Sequence, residues 1–108
     1  MGVKDIPAFV RKVVEQAVED FNRVEISGSG KAYQVRFKGC YVYVDRDDGI
    51  GPSPVFRLEY TGDLSDWGFA IYKYSADGYD GEENFFPGAD KLDGTIEGAL
   101  RAGMKAYG

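Results

Sequence analysis

Large apolar and polar residues alternate from Val55 to Tyr60 and again from Trp67 to Tyr74, with a loop carrying Gly62 and Asp63 between them. A period of two is the signature of a strand with one covered face, so this stretch predicts a β-hairpin. Phe56, Leu58 and Tyr60 on its first strand, with Trp67, Phe69 and Ile71 on its second, point one way, and that face needs a cover.

Two segments have the other period. Ile6, Phe9, Val10, Val13, Val14, Ala17, Val18 and Phe21 recur at three- and four-residue spacing, which predicts a helix over residues 6–21 with Asp5 as N-cap and Pro7 in the first turn. Lys12, Glu15, Gln16 and Glu19 fall on its polar side. Ile96, Ala99, Leu100, Gly103, Met104 and Tyr107 predict a second helix over 96–107, capped by Thr95 or Asp93. Gly98 and Gly103 weaken it in isolation, so close packing on the sheet accounts for them.

Between the first helix and the hairpin, RVEIS at 23–27 reads as a strand with Val24 and Ile26 inward, and SGSG at 27–30 turns the chain. AYQVRFK follows, with Tyr33, Val35 and Phe37 inward. Lys38-Gly39 suits a two-residue turn that pairs 37 with 40 and keeps Cys40, Val42 and Val44 on the core face. Pro52 and Pro54 hold residues 45–54 as a loop, and 75–92 has no period. The predicted fold class is two-layer α+β: an N-terminal helix, a five-stranded antiparallel meander and a C-terminal helix, with both helices on one sheet face, as one domain over residues 1–108.

Composition narrows the chemistry. The 108 residues are 44% hydrophobic and 29% charged, as in ordinary globular domains, with a net charge of −5. Clustered Lys and Arg are lacking, which makes nucleic acid an unlikely partner on charge grounds. No run approaches the roughly 18–20 apolar residues that cross a bilayer, and MGVKDI carries Ile where a myristoylation site has Ser or Thr, so no membrane partner is expected. Without His, Ser-His-Asp and Cys-His arrangements cannot form, and one Cys leaves neither a zinc set nor an internal disulfide. No enzyme activity, cofactor or metal is therefore expected, and a lone Cys40 fits the reducing cytoplasm.

Local motifs fall short of the chemistry they resemble. GSGKAY at 28–33 has the tail of a phosphate-binding loop, but Glu25 stands at the first Gly position, Ala32 at the Ser or Thr position, and a strand follows. DRDDG at 45–49 has its Gly one position too early for an EF-hand loop, with no Glu to close it. Glu59 lies in a strand beside Arg57, as an exposed ion pair would. Phe85-Phe86-Pro87 reads as an anchor for the long loop.

Two surfaces remain as candidates. With both helices on one side, Tyr41, Tyr43, Tyr72 and Tyr74 lie on the outer sheet face with Arg36 and Arg57, residue types that dominate interface hot spots. The meander also sends Asp45, Asp47, Asp48, Asp77, Asp80, Glu82 and Glu83 to one end as an acidic pole, which would speed encounter with a basic partner. The expected function is a non-enzymatic interaction module that binds another protein or a second copy of itself, as a homodimer, through the Tyr face. The alternatives are stacking of single-stranded nucleic acid on that face, or a small-molecule site between the sheet and the 75–92 loop.

Overall fold

The first helix, α1 (Ala8–Val24), buries Val10, Val14, Val18 and Phe21, a stripe spaced four, four and three. It is narrower than the sequence suggests: Phe9 is 63% and Val13 41% exposed. Pro7, not Asp5, is the N-cap, and its carbonyl accepts from the amides of Val10 and Arg11. The computed structural model describes residues 5–81 and 86–107.

The helix runs on through Val24, so RVEIS is its last turn and cap, not a strand. Two apolar residues two apart fit a strand and a helix end equally, and tertiary contacts decide: Ile26 is buried while Val24 is 70% exposed. Asn22 shows why the helical form wins here. Its side-chain amide donates to the Tyr33 carbonyl at 3.0 Å and accepts from the Tyr33 amide at 2.8 Å, taking the place of a neighbouring strand.

The five antiparallel strands are β1 (Ala32–Lys38), β2 (Tyr41–Asp47), β3 (Pro52–Glu59), β4 (Gly68–Lys73) and β5 (Gly78–Asp80), in sheet order β1-β2-β3-β4-β5. The meander is as predicted, but its fifth strand comes from within the 75–92 stretch. Lys38 pairs with Tyr41, so the turn is Gly39-Cys40, one residue later than expected. Positive φ at Gly39 fits a tight turn with Gly at its first central position. Phe37 now faces Val42 instead of Cys40; a slip of two leaves every side chain on its predicted face.

Strand β3 begins at Pro52, which edge-like pairing with Asp47 tolerates, so the expected loop over 45–54 shrinks to the turn after Asp47. The register shifts between Val44 and Asp45, which leaves Val55 as an extra residue on β3. Val55 and Phe56 are consequently both buried, and both meet α2 (Ile96–Ala106). A Cβ on Gly103 would lie 3.0 Å from Val55 Cγ1 and 3.1 Å from Phe56 Cε2 and the Tyr33 hydroxyl, so this glycine lets α2 sit close on the sheet. Gly98 is different: it is pressed against the loop at Lys91 and Asp93.

Between the two helices and the sheet lie Val10, Val14, Val42, Val44, Phe56, Leu58 and Leu100, all with 1% exposure or less. Burial of each such side chain is worth about 1.5–3 kcal/mol. Trp67 and Tyr60 pack at 5.2 Å between ring centres, and Phe56, Phe69 and Phe86 stack in sequence at 5.1 and 5.8 Å. Phe86 is thus the anchor expected of the long loop, followed by a 3-10 turn at Ala89–Lys91; Phe85 lies outside the described residues. Thr95 caps α2 by accepting from the Gly98 amide at 3.0 Å, and Asp93 in turn accepts from the Thr95 amide at 3.0 Å.

Among the described residues, one charged side chain enters this layer. Arg46 on β2 is 7% exposed, with its guanidinium 3.2 Å from Asp48, 3.9 Å from the Met104 sulfur and donating to the Tyr107 carbonyl beyond the end of α2. A cation there complements the negative end of the helix. Burial pushes the neighbouring Tyr33 hydroxyl up to about 12, although Arg46 pulls the other way.

Candidate interaction face

Strand alternation sets Tyr41 and Tyr43 on the sheet face away from the helices, beside Arg36 of β1 and Arg57 of β3. On β4 the same face carries Ala70 and Tyr72, and on β5 it carries Tyr79, paired directly with Tyr72. Ala70 is small, which leaves Tyr79 room to lean back across the sheet until its ring centre is 5.4 Å from that of Tyr43.

The result is a continuous belt. Ring contacts run Tyr41–Tyr43 (6.2 Å), Tyr43–Tyr79 (5.4 Å), Tyr79–Tyr72 (5.2 Å), Tyr72–Tyr74 (4.8 Å) and Tyr74–Tyr107 (5.7 Å). The last four meet edge to face, the arrangement aromatic quadrupoles prefer. The chain has eight tyrosines; the two outside the belt, Tyr33 and Tyr60, are core residues.

Cations are built into the belt. The Arg57 guanidinium lies 4.4 Å from the Tyr41 ring centre and 5.4 Å from that of Tyr79, and Arg36 lies 5.2 Å from that of Tyr43. The ion pair expected between Arg57 and Glu59 is not formed among the described residues; the rings take the guanidinium instead. Arg36 also holds Asp45 through two nitrogens at 2.9 and 3.3 Å, and this hydrogen bonding is the main reason its pKa is raised.

Three of the belt's six hydroxyls donate within the chain. Tyr72 donates to Asp77, Tyr107 to the Tyr72 carbonyl, and Tyr74 to the Pro54 carbonyl at 3.2 Å. The hydrogen bond to Asp77 pushes the Tyr72 hydroxyl up to about 12. Burial raises Tyr79, with Asp45 adding to it and Arg36 opposing; burial also raises Tyr107. All three phenols stay neutral around pH 7, and what they present outward is ring face and ring edge.

Two hollows flank Tyr79 on this face. One of about 550 Å³ is lined by Arg36, Phe37, Lys38, Tyr43 and Tyr79, and one of about 260 Å³ by Arg57, Glu59, Gly68, Ala70 and Gly81. The second reaches Gly81 in the 75–92 stretch, the stretch that the small-molecule alternative involves.

The structure brings Tyr41, Tyr43, Tyr72, Tyr74, Arg36 and Arg57 onto one connected surface. Of the acidic group it keeps part at one end and engages several members within the chain. Asp47, Asp48 and Asp77 sit at one end of the sheet, in or beside the β2–β3 and β4–β5 turns, with Asp48 held by Arg46 and Asp77 by Tyr72. Asp45 lies within β2 against Arg36, and Asp80 within β5 at 3.8 Å from Lys73. Glu82 and Glu83 lie outside the described residues. Among the described residues no group of acids and cysteine is arranged to hold a metal ion, and no helix is long and apolar enough to cross a membrane.

Sequence reasoning missed Tyr79 and Tyr107 as members of this face. Asp77-Gly78 carries the signal for the first: a turn dipeptide just after a strand, with Asp77 at φ 49°, starts a new strand whose first outward residue is Tyr79. Tyr107 gave none, because it follows α2 and reaches the belt through tertiary packing.

Compared with known proteins, the chain matches no family model, no curated protein and no solved structure.

Proposed function

We propose that the protein is a non-enzymatic interaction module that docks a second copy of itself on the tyrosine belt, in the reducing cytoplasm where Cys40 remains a thiol. The observation that carries this reading is the unbroken run of six tyrosine rings, five of them on the sheet face that no helix covers and Tyr107 joining from the end of α2. Rings with engaged hydroxyls offer large, rigid, apolar contact area at low entropic cost, and arginines stacked among them are suited to desolvation.

Charge favours a two-fold partner. Lys38 and Arg57 flank the Tyr41–Tyr43 end of the belt, whereas Asp47 and Asp77 lie at the end beyond Tyr72. Antiparallel stacking about a two-fold axis sets each copy's cationic end against the other's acidic end.

Light scattering after size exclusion tests this. The wild type is expected to run as a dimer and the Tyr43→Glu, Tyr72→Glu variant as a folded monomer, with Glu19→Lys on the exposed side of α1 leaving the dimer intact. A wild-type monomer at every accessible concentration, or a dimer indifferent to the belt variant, overturns the proposal.

A further inference from the structure

On the helical layer, away from the belt, the end of α1, the 3-10 turn and the outward side of α2 enclose a hollow of about 250 Å³. Its floor is apolar: Phe21 from α1, Ile26 just after it, and Met104 from α2. Lys91, Arg101 and Lys105 surround that floor, and Glu25 is the anion of its lining, so the rim carries three positive charges against one negative. In a chain of net charge −5, three cations gathered around an apolar surface run against the overall balance.

Their present partners are weak. Arg101 meets Glu25 at 3.5 Å with both side chains about half exposed, and Lys91 meets its neighbour Asp90 at 3.7 Å. Exposed pairs of this kind contribute little to stability and exchange readily for another anion. A ligand that used the floor and the rim together would need an apolar body and one negative end.

We propose that this hollow binds a small amphiphilic monocarboxylate, its hydrocarbon part on Phe21, Ile26 and Met104 and its carboxylate among Lys91, Arg101 and Lys105. A carboxylate on a hydrocarbon chain fits better than phosphate, because the floor supplies apolar contact that phosphate cannot use. The volume lies just below the ~300 Å³ at which sites for drug-sized ligands begin, so the ligand is a short-chain acid.

Hexanoate, hexanamide and inorganic phosphate are the probes, titrated into protein carrying a ¹³C-methyl label at Met104. Hexanoate is expected to shift the Met104 methyl saturably with a dissociation constant of about 1 mM, a modest affinity suited to so small a ligand. Hexanamide and phosphate should each bind at least about tenfold more weakly, and Arg101→Ala with Lys105→Ala should weaken hexanoate about tenfold, the size of a lost charge-assisted hydrogen bond. Lys91→Gln, a single change at an exposed site outside both α-helices, should act in the same direction with the melting curve unaltered. Equal binding of hexanamide, a Met104 methyl that does not saturate, or variants that bind like wild type would overturn the proposal.

Discussion

Replacing Asn22 with Ala tests how the sheet's first edge is closed. Strand β1 has β2 on one side only, and Asn22 supplies two hydrogen bonds to Tyr33 on the other, at 3.0 and 2.8 Å. Each is worth about 1 kcal/mol net, so losing both costs about 2 kcal/mol. Position 22 lies in α1, where Ala gains about 0.6 kcal/mol of helix propensity over Asn. The remainder, about 1.4 kcal/mol, corresponds to a fall in Tm of roughly 6–10 °C for a domain of this size. Calorimetry reads the fall, and hydrogen exchange reads its location, since the Tyr33 amide should lose protection before its neighbours in β2. Asn22→Asp keeps the acceptor for the Tyr33 amide but sets an anion against the Tyr33 carbonyl and near the negative end of α1, so it should be at least as destabilising at pH 7. A fall of less than about 2 °C in Asn22→Ala, or an Asp variant as stable as wild type, would refute the role given to this side chain.

Other outcomes follow from contacts described above. Gly98→Ala should cost about 1–2 kcal/mol despite better helix propensity, because the new methyl would stand 2.7 Å from the Lys91 carbonyl and overlap the Asp93 carboxylate; a stabilised variant in urea melts would refute the fit. Tyr33 has a hydroxyl raised from 10.0 to about 12, so the fold favours its neutral form. That contribution is complete below pH 10 and disappears as pH rises from 10 to 12, a loss of about 2–3 kcal/mol. Tyr33→Phe should lack this slope, so parallel alkaline stability curves for the two proteins would contradict the burial argument.

The fold class was legible because most of the chain has an unambiguous period. Phe56, Leu58, Trp67 and Ile71 lie on the predicted face, and Val42 and Val44 stayed there through a two-residue change in pairing. The misreadings lie where a few residues fit two periods or where distant packing decides. Val24 and Ile26 are too few to separate a strand from a helix end, and the bond between Asn22 and Tyr33 settles the matter. Phe9 and Val13 have helical spacing but lie at the rim of the buried stripe, a distinction that depends on which side the sheet approaches. Strand β5 is three residues long and has no period to read, so the Asp77-Gly78 turn dipeptide is the one signal that places Tyr79 on the outer face. Arg46 falls in the stretch 45–54 that reads as a loop, and its buried place depends on β2 running on to Asp47 and on the distant contacts from Met104 and Tyr107.

The tyrosine belt is also an optical instrument. Six phenols held at fixed, mostly edge-to-face angles form a chiral array of coupled chromophores, so the near-ultraviolet circular dichroism of this protein should be dominated by one surface. The single tryptophan, Trp67, sits apart from that array in the core, with its indole N–H donated to the Leu64 carbonyl and its ring against Tyr60. Tyrosine signals therefore report the outer face while tryptophan emission reports the packed interior. The proposed docking would thus be followed on the unlabelled chain and told apart from unfolding in the same cuvette.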